Sequence, residues 1–384
     1  MPIDVLTVFG TRPEAIKMAP VVVELNKDNN FNAKVCITAQ HRQMLDQVLD
    51  LFDITPDYDL NIMAPGQDLP GLTAKILVGM RNIFSKYQPD IVLVHGDTTT
   101  CFAAGLAAFY EQIQIGHIEA GLRTGNLLSP FPEEANRILI DKLANYHFAP
   151  TQTALNNLIN ENIPRDNIVV TGNTVIDALL MIKDRIQTYP DIFWYKQYGS
   201  LYDSIIDNNR KFILITGHRR ENFGKGLLNL CSAIKEIALE HSDWDFVYPV
   251  HMNPNVQEPV NNMLGNLENV YLIAPQKYDS FVWLMSKCDL IVTDSGGIQE
   301  EGPVLGKPIV VTRNITERPE AIGVGAVILA GTKQKDIVET IEKILLRKDI
   351  YEKMSRHNNI YGDGYASLTI KNFLYNHIKQ SNNK

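Results

Sequence analysis

Carboxylates recur in three short segments of this chain. Asp97 stands in Val94-His95-Gly96-Asp97-Thr98 and Glu119 in Gly116-His117-Ile118-Glu119-Ala120-Gly121, each just past an apolar run. Glu133 and Glu134 stand in Pro130-Phe131-Pro132-Glu133-Glu134, at the start of a helical pattern. Any one of them can be a helix N-cap or a first-turn acid. Held together, carboxylates raise one another's pKa, giving a protonated acid beside an ionised base.

Other segments suit anions. In Phe9-Gly10-Thr11-Arg12-Pro13-Glu14, Gly10 permits a tight turn and Pro13 fits a first helical position. Arg12 then hangs at a helix N-terminus, with Lys17 one turn on; an anion site and a plain βα turn with a solvated Arg both fit. Thr293-Asp294-Ser295-Gly296-Gly297-Ile298-Gln299-Glu300-Glu301-Gly302 also follows an apolar run. Ser295, Gly296 and Gly297 can offer backbone N–H groups and a hydroxyl to a phosphate. A first-turn carboxylate would repel that phosphate, so Glu301 is expected to grip ribose hydroxyls instead. Gly217-His218-Arg219-Arg220-Glu221 is basic, with His218 placed to reach a phosphate or a leaving group, or else it is a charged surface loop.

Several familiar patterns are missing. The first turn is not G-x-G-x-x-G. Gly224-Lys225 is followed by Gly226, and Gly302–Lys307 is one residue short, so neither is a P-loop. His95 with Asp97, and His117 with Glu119, lack a third ligand at zinc-like spacing. No metal and no cofactor are expected.

The elements that must carry these residues alternate. Strand-like runs are Val5–Phe9, Val35–Thr38, Ile91–Val94, Ile115–Ile118, Ile168–Val170, Phe212–Thr216, Phe246–Val250, Val270–Ile273, Leu290–Thr293 and Ile309–Val311. Most are apolar throughout, as in a parallel sheet covered on both faces. Helical stretches lie between them, such as Pro13–Lys27, Gly71–Lys86 and Leu227–Glu240. This is an α/β doubly wound pattern. Residues 181–211 read as a polar loop. A fresh strand–Gly–helix unit then opens at Phe212. The reading is two Rossmann-like domains, 1–172 and 173–365, with ligands expected beyond the carboxyl ends of the strands.

Composition narrows the partners. The chain has 384 residues, with 36 Lys+Arg against 44 Asp+Glu, a net charge of −8. That balance disfavours a nucleic-acid binder, which carries a basic face. No apolar run approaches the ~18 residues of a membrane span. The start, Met1-Pro2-Ile3-Asp4, lacks the regions of a signal peptide. Cys36, Cys101, Cys231 and Cys288 are scattered and read as reduced thiols of a cytoplasmic protein.

Taken in order, the segments around Arg12, Asp97, Glu119, Glu133, His218, Ser295 and Thr316-Glu317-Arg318-Pro319-Glu320 resemble the bacterial non-hydrolysing UDP-N-acetylglucosamine 2-epimerases. The likeness runs from Val5 to about Tyr365. It implies a GT-B-like pair of domains facing a cleft, with a final segment, 366–384, packing back on the first domain. It also implies interconversion of UDP-GlcNAc and UDP-ManNAc for surface polysaccharide synthesis. Substrate contacts are implied at Arg12, Lys17, His218, Gln276, Phe281, Ser295, Gly297, Glu301 and Arg318, with Asp97, Glu119 and Glu133 catalytic. A homodimer is the family expectation.

The chemistry implied is demanding, because the sugar C2–H has no neighbouring carbonyl. Expelling UDP first makes that hydrogen removable and leaves a 2-acetamidoglucal. Re-protonation on the other face, with return of UDP, inverts C2. Arg12, His218 and the Ser295–Gly297 nest suit the departing pyrophosphate. Carboxylates on separate loops suit the two faces of C2. A GT-B glycosyltransferase or a hydrolysing epimerase is the near alternative, and a non-catalytic nucleotide-sugar sensor the distant one. The family also implies UDP-GlcNAc as an activator, at Gln40, Gln43, Arg219 and His251. Alternatively the two glutamines cap a helix and His251 is a packed strand end. Gly66 stands where some relatives place an Arg, which points to weaker activator binding.

Overall fold

The structure is a computed structural model. It describes residues 1–384 except 40–41, 65, 208, 218–222, 317, 357–358 and 382–384. The chain forms two compact units, Met1–Ala178 with Tyr361–Lys384, and Leu179–Ile360.

The first unit alternates strands and helices: β1 (Ile3–Phe9), α1 (Arg12–Asn26), β2 (Phe31–Ile37), α2 (Arg42–Leu51), β3 (Tyr58–Asp59), α3 (Leu69–Phe84), β4 (Ile91–His95), α4 (Thr99–Tyr110), β5 (Gln114–Ile118), α5 (Glu133–Leu143), β6 (Tyr146–Ala149), α6 (Gln152–Asn160), β7 (Ile168–Val170) and α7 (Thr174–Ile186), whose end passes into the second unit. The second continues with α8 (Asp191–Tyr198), α9 (Ser200–Ile206), β8 (Lys211–Thr216), α10 (Lys225–Glu240), β9 (Trp244–Pro249), α11 (Pro254–Leu264), β10 (Val270–Ile273), α12 (Tyr278–Lys287), β11 (Leu290–Thr293), α13 (Gly296–Val304), β12 (Ile309–Val311), α14 (Pro319–Gly323), β13 (Val327–Leu329), α15 (Gln334–Leu346) and α16 (Lys348–Met354). The last helix, α17 (Ala366–Ser381), belongs to the first unit.

Each unit is built on one parallel sheet. The strand orders are β3-β2-β1-β4-β5-β6-β7 and β10-β9-β8-β11-β12-β13. Strands such as β4 (Ile91-Val92-Leu93-Val94-His95) are buried at every position, because helices cover both faces. The order reverses between β1 and β4 and again between β8 and β11. Those are the switch points where loops diverge and leave room for a ligand. The loops at Gly10 and Asp97 flank the first, and those at Gly217 and Ser295 flank the second.

The segment expected as a polar loop is largely helical: it completes α7 and forms α8 and α9. Trp194 is buried and stacks on Trp283 with ring centroids 4.6 Å apart, while Ile192, Phe193 and Tyr195 stay exposed. The aromatic anchors supply the burial that two such short helices need. Three strands escaped the pattern reading: β3 has two residues, β6 carries His147, and β13 is only three residues long. Among the described residues no helix is long and apolar enough to cross a membrane. The four cysteines are free and buried.

α17 is fastened to the first unit by Asp177. Its Oδ1 accepts the Ser367 N–H at 2.7 Å and its Oδ2 the Ala366 N–H at 3.3 Å, so a distant side chain serves the helix N-terminus. Lys371 pairs with Glu24 of α1 at 2.9 Å, and Phe373 meets Phe148 edge-on. Asp177→Ala strands two buried donors and should lower stability by about 1–3 kcal/mol in urea unfolding. An unchanged midpoint would show that α17 is held by other means.

Candidate active site

The first turn owes its shape to Glu14. Its Oε2 accepts the backbone N–H of Thr11 (2.8 Å) and Gly10 (3.1 Å), while the Thr11 hydroxyl caps α1. Its Oε1 accepts the Thr98 hydroxyl at 2.5 Å, joining the turn after β1 to the turn after β4. Burial raises the Glu14 pKa, and these hydrogen bonds oppose the rise. Gly10 has no substitute: a Cβ there would lie 2.0 Å from Thr38 Oγ1 and 2.6 Å from Thr100 Oγ1. Arg12 opens α1 at the carboxyl edge of the sheet, as the sequence suggested.

Glu119 lies one residue past β5 with φ +64°, in the left-handed region. For a residue other than glycine that conformation costs about 1–3 kcal/mol and persists only where the surroundings impose it. The imposing groups are visible. Lys17 Nζ pairs with Glu119 Oε2, and Asn173 Nδ2 donates to the same oxygen at 2.6 Å. His95 Nε2 lies 3.9 Å from it and has no hydrogen-bond partner among the described residues. Burial pushes the His95 pKa down to about 3, so this imidazole is neutral. Asn173 and His95 as a neighbour of Glu119 were missed in the sequence. A single Asn past a three-residue strand carries no pattern.

Asp97 is gripped from α5. Arg137 pairs with Asp97 Oδ2, and Asn136 Nδ2 donates to the Asp97 carbonyl at 2.8 Å. The adjacent Glu134 is structural. Its Oε2 meets Arg137 at 3.1 Å, and its Oε1 accepts the N–H groups of Thr124 and Gly125. Glu133, in contrast, keeps a buried Oε2 with no hydrogen-bond partner among the described residues. The sequence reading expected carboxylates perturbing one another. The contacts show instead a cation on each of two: Lys17 on Glu119 and Arg137 on Asp97.

In the second unit, Ser295 is the N-cap residue of α13, but its side chain makes no capping bond among the described residues. Its N–H goes to Thr293 Oγ1 (3.0 Å), and that hydroxyl meets Thr216 at 2.6 Å, linking β11 to β8. The helix starts at Gly296, so Glu300 and Glu301 lie in its second turn rather than its first. Glu301 Oε1 accepts the Tyr278 hydroxyl at 2.6 Å. Glu300, almost wholly buried, pairs with Arg318 Nε at 2.5 Å. Arg318 is therefore part of the packing as well as a candidate contact. Gln276 Oε1 accepts from Gln197 and Tyr198, both at 3.1 Å. Phe281 is half-buried on α12.

Gln40, His218 and Arg219 lie outside the described residues, as does the side chain of Gln43. His251 is exposed rather than packed, and its Nδ1 accepts the Asn253 N–H at 3.1 Å. Glu240, His241 and Glu342 could hold a metal ion. Glu240 and His241 end α10, just before β9, and Glu342 lies on α15, at the opposite sheet edge from Ser295.

Three tests follow from this geometry. His95 has a folded pKa near 3 against 6.5 unperturbed, so the unfolded chain binds the extra proton between those values. Stability from this group therefore falls as pH drops from about 6.5 towards 3. His95→Asn should flatten the pH dependence of urea unfolding in that window, and an unaltered slope would contradict the burial account. At Gly297 a Cβ would meet nothing nearer than Glu301 Oε2 at 4.0 Å. Gly297→Ala should leave thermal unfolding unchanged and weaken UDP binding in calorimetry. Arg318→Ala should instead destabilise the fold by about 3–5 kcal/mol, because the buried ion pair with Glu300 is broken.

The family model for UDP-N-acetylglucosamine 2-epimerase matches residues 23–375. The UDP-N-acetylglucosamine 2-epimerase of Escherichia coli (strain K12) is 57% identical over 372 residues, covering 97% of this chain and 98% of the relative. The crystal structure of UDP-GlcNAc 2-epimerase from Neisseria meningitidis bound to UDP-GlcNAc superposes with a TM-score of 0.92 at 52% identity, covering 98% of this chain and all of that one. A glycotransferase of kitacinnamycin, at 11% identity and a TM-score of 0.64, shares the fold alone. With a family match across most of its length and a relative this similar from end to end, the chain belongs to the UDP-N-acetylglucosamine 2-epimerase family.

Proposed function

We propose that this protein interconverts UDP-GlcNAc and UDP-ManNAc without net hydrolysis. The observation that carries the reading is Glu119, a buried carboxylate fixed in a strained backbone conformation beside Lys17, within a chain of this family. The C1–O bond breaks and UDP departs with the electron pair. The C2 proton passes to a carboxylate, and the C1–C2 double bond of 2-acetamidoglucal forms. A second carboxylate then delivers a proton to the opposite face of C2, and the UDP oxygen re-forms its bond to C1.

Asp97, Glu119 and Glu133 are assigned to C2, with His218 aiding the leaving group. The open carboxylate oxygen of Glu133 supports its inclusion. Arg12, Lys17, Gln276, Phe281, Ser295, Gly296, Gly297, Glu301 and Arg318 are assigned to substrate binding. The uncapped start of α13 supports the diphosphate assignment, since its N–H groups favour an anion. The reading extends to a cytoplasmic homodimer serving polysaccharide synthesis, and to UDP-GlcNAc as an activator at Gln40, Gln43, Arg219 and His251. Exposure of His251 agrees with the last.

Incubation with UDP-GlcNAc in deuterated water tests the reaction. Proton NMR should show UDP-ManNAc forming with deuterium at C2 and no added NAD. Retention of the C2 hydrogen, or accumulation of free ManNAc with UDP, would overturn the proposal. UDP-ManNAc alone should turn over poorly until a trace of UDP-GlcNAc is added; full reverse activity from the outset would remove the activator role.

A further inference from the structure

His117 lies on β5, completely buried, two residues before Glu119. Its Nδ1 is 2.5 Å from Asp141 Oδ1, and its Nε2 is 2.7 Å from the carbonyl oxygen of Gly96. A carbonyl oxygen has no hydrogen to give, so Nε2 must carry one. Asp141 holds the other side of the ring. Burial works against its ionisation, yet His117 and Arg123 hold its carboxyl down to about 2. Its Oδ2 accepts from Arg123 Nη2 (2.7 Å) and the Gly121 N–H (3.2 Å). The imidazole is thus fixed at both nitrogens, between the Asp141 carboxyl and the Gly96 carbonyl.

We infer that His117 acts as a positioning residue for Asp97, through its hydrogen bond to the Gly96 carbonyl. The ionisable groups around it among the described residues are Asp141, Arg123 through Asp141, the neighbouring His95 and His147, the last with Nε2 2.7 Å from the Asp141 carbonyl, and Cys101, whose thiol meets the same Gly96 carbonyl at 3.3 Å. The consequence falls on the turn after β4. Gly96 has φ +66°, and its carbonyl belongs to the peptide that leads into Asp97. His117 holds that carbonyl, and Asn136 holds the next one, of Asp97 itself. Side chains from β5 and α5 thus anchor both peptides flanking the carboxylate. An aspartate that must meet one face of a sugar carbon needs this, since a shift of about 1 Å can cost 10²-fold in rate.

This rests on the assignment of Asp97 to catalysis, so Asp97→Asn is measured beside the His117 variants. In steady-state kinetics, His117→Asn removes the imidazole donor to the Gly96 carbonyl, leaves the Cys101 thiol there, and should lower kcat about 10²-fold with little change in KM. His117→Gln, which can still reach that carbonyl, should recover part of the loss. Unchanged kcat in folded His117→Asn, or no recovery in His117→Gln, would remove the positioning role. If Asp97→Asn kept full turnover the Asp97 assignment would fail, whereas lost turnover in Asp97→Asn with full turnover in His117→Asn would overturn the positioning role alone.

Discussion

A carboxylate cannot be buried without charge or donors to meet it, and Glu119 is where the first unit answers that demand. Its partners come from far apart in sequence: Lys17 on α1, Asn173 past β7, and His95 at the end of β4. They converge only if β1, β4, β5 and β7 run parallel with their carboxyl ends on one edge, which the strand order provides. The positive φ of Glu119 is a further cost that this convergence sustains. Much of the surrounding polar network serves the same edge. Glu14 ties the first turn to Thr98, Arg137 holds Asp97, and Arg123 with Asp141 and His117 supports Gly96.

The second unit repeats the sheet logic with different chemistry. Its switch-point loop after β11 leads into a helix start without a side-chain cap among the described residues, and carboxylates are turned to packing: Glu300 on Arg318, and Asp245 on Arg210. A parallel sheet thus serves one unit as a frame for carboxylates and the other as a frame for the turn at Ser295–Gly297, which we propose as the anion site.

The architecture was legible because parallel strands buried on both faces leave unbroken Val and Ile runs, as at Ile91–Val94 and Ile309–Val311. It was illegible where packing overrides pattern. Residues 181–211 look polar, and the stacking of Trp194, Tyr198 and Tyr202 with Trp283 explains the helices α8 and α9. At the edge of the first sheet, the motifs pointed to Asp97, Glu119 and Glu133 by type and spacing. They did not reveal what each carboxylate faces. Lys17 and Arg137 are separated from their partners by 102 and 40 residues, and no local spacing encodes such pairs. Glu133 and Glu134 are adjacent and identical in type, yet one is tied to Arg137 and backbone N–H groups while the other keeps an open oxygen. Only the fold separates them.

The central claim is that Glu119 is held in place for proton transfer at the sugar rather than for binding the nucleotide. Turnover and UDP affinity measured together on Glu119→Gln test it most directly. Gln keeps the shape and can no longer accept the proton. The account predicts a loss of kcat of about 10²-fold or more, the usual toll for a missing acid–base group, with UDP affinity in calorimetry unchanged. Full turnover, or a UDP affinity that falls in step with turnover, would contradict it.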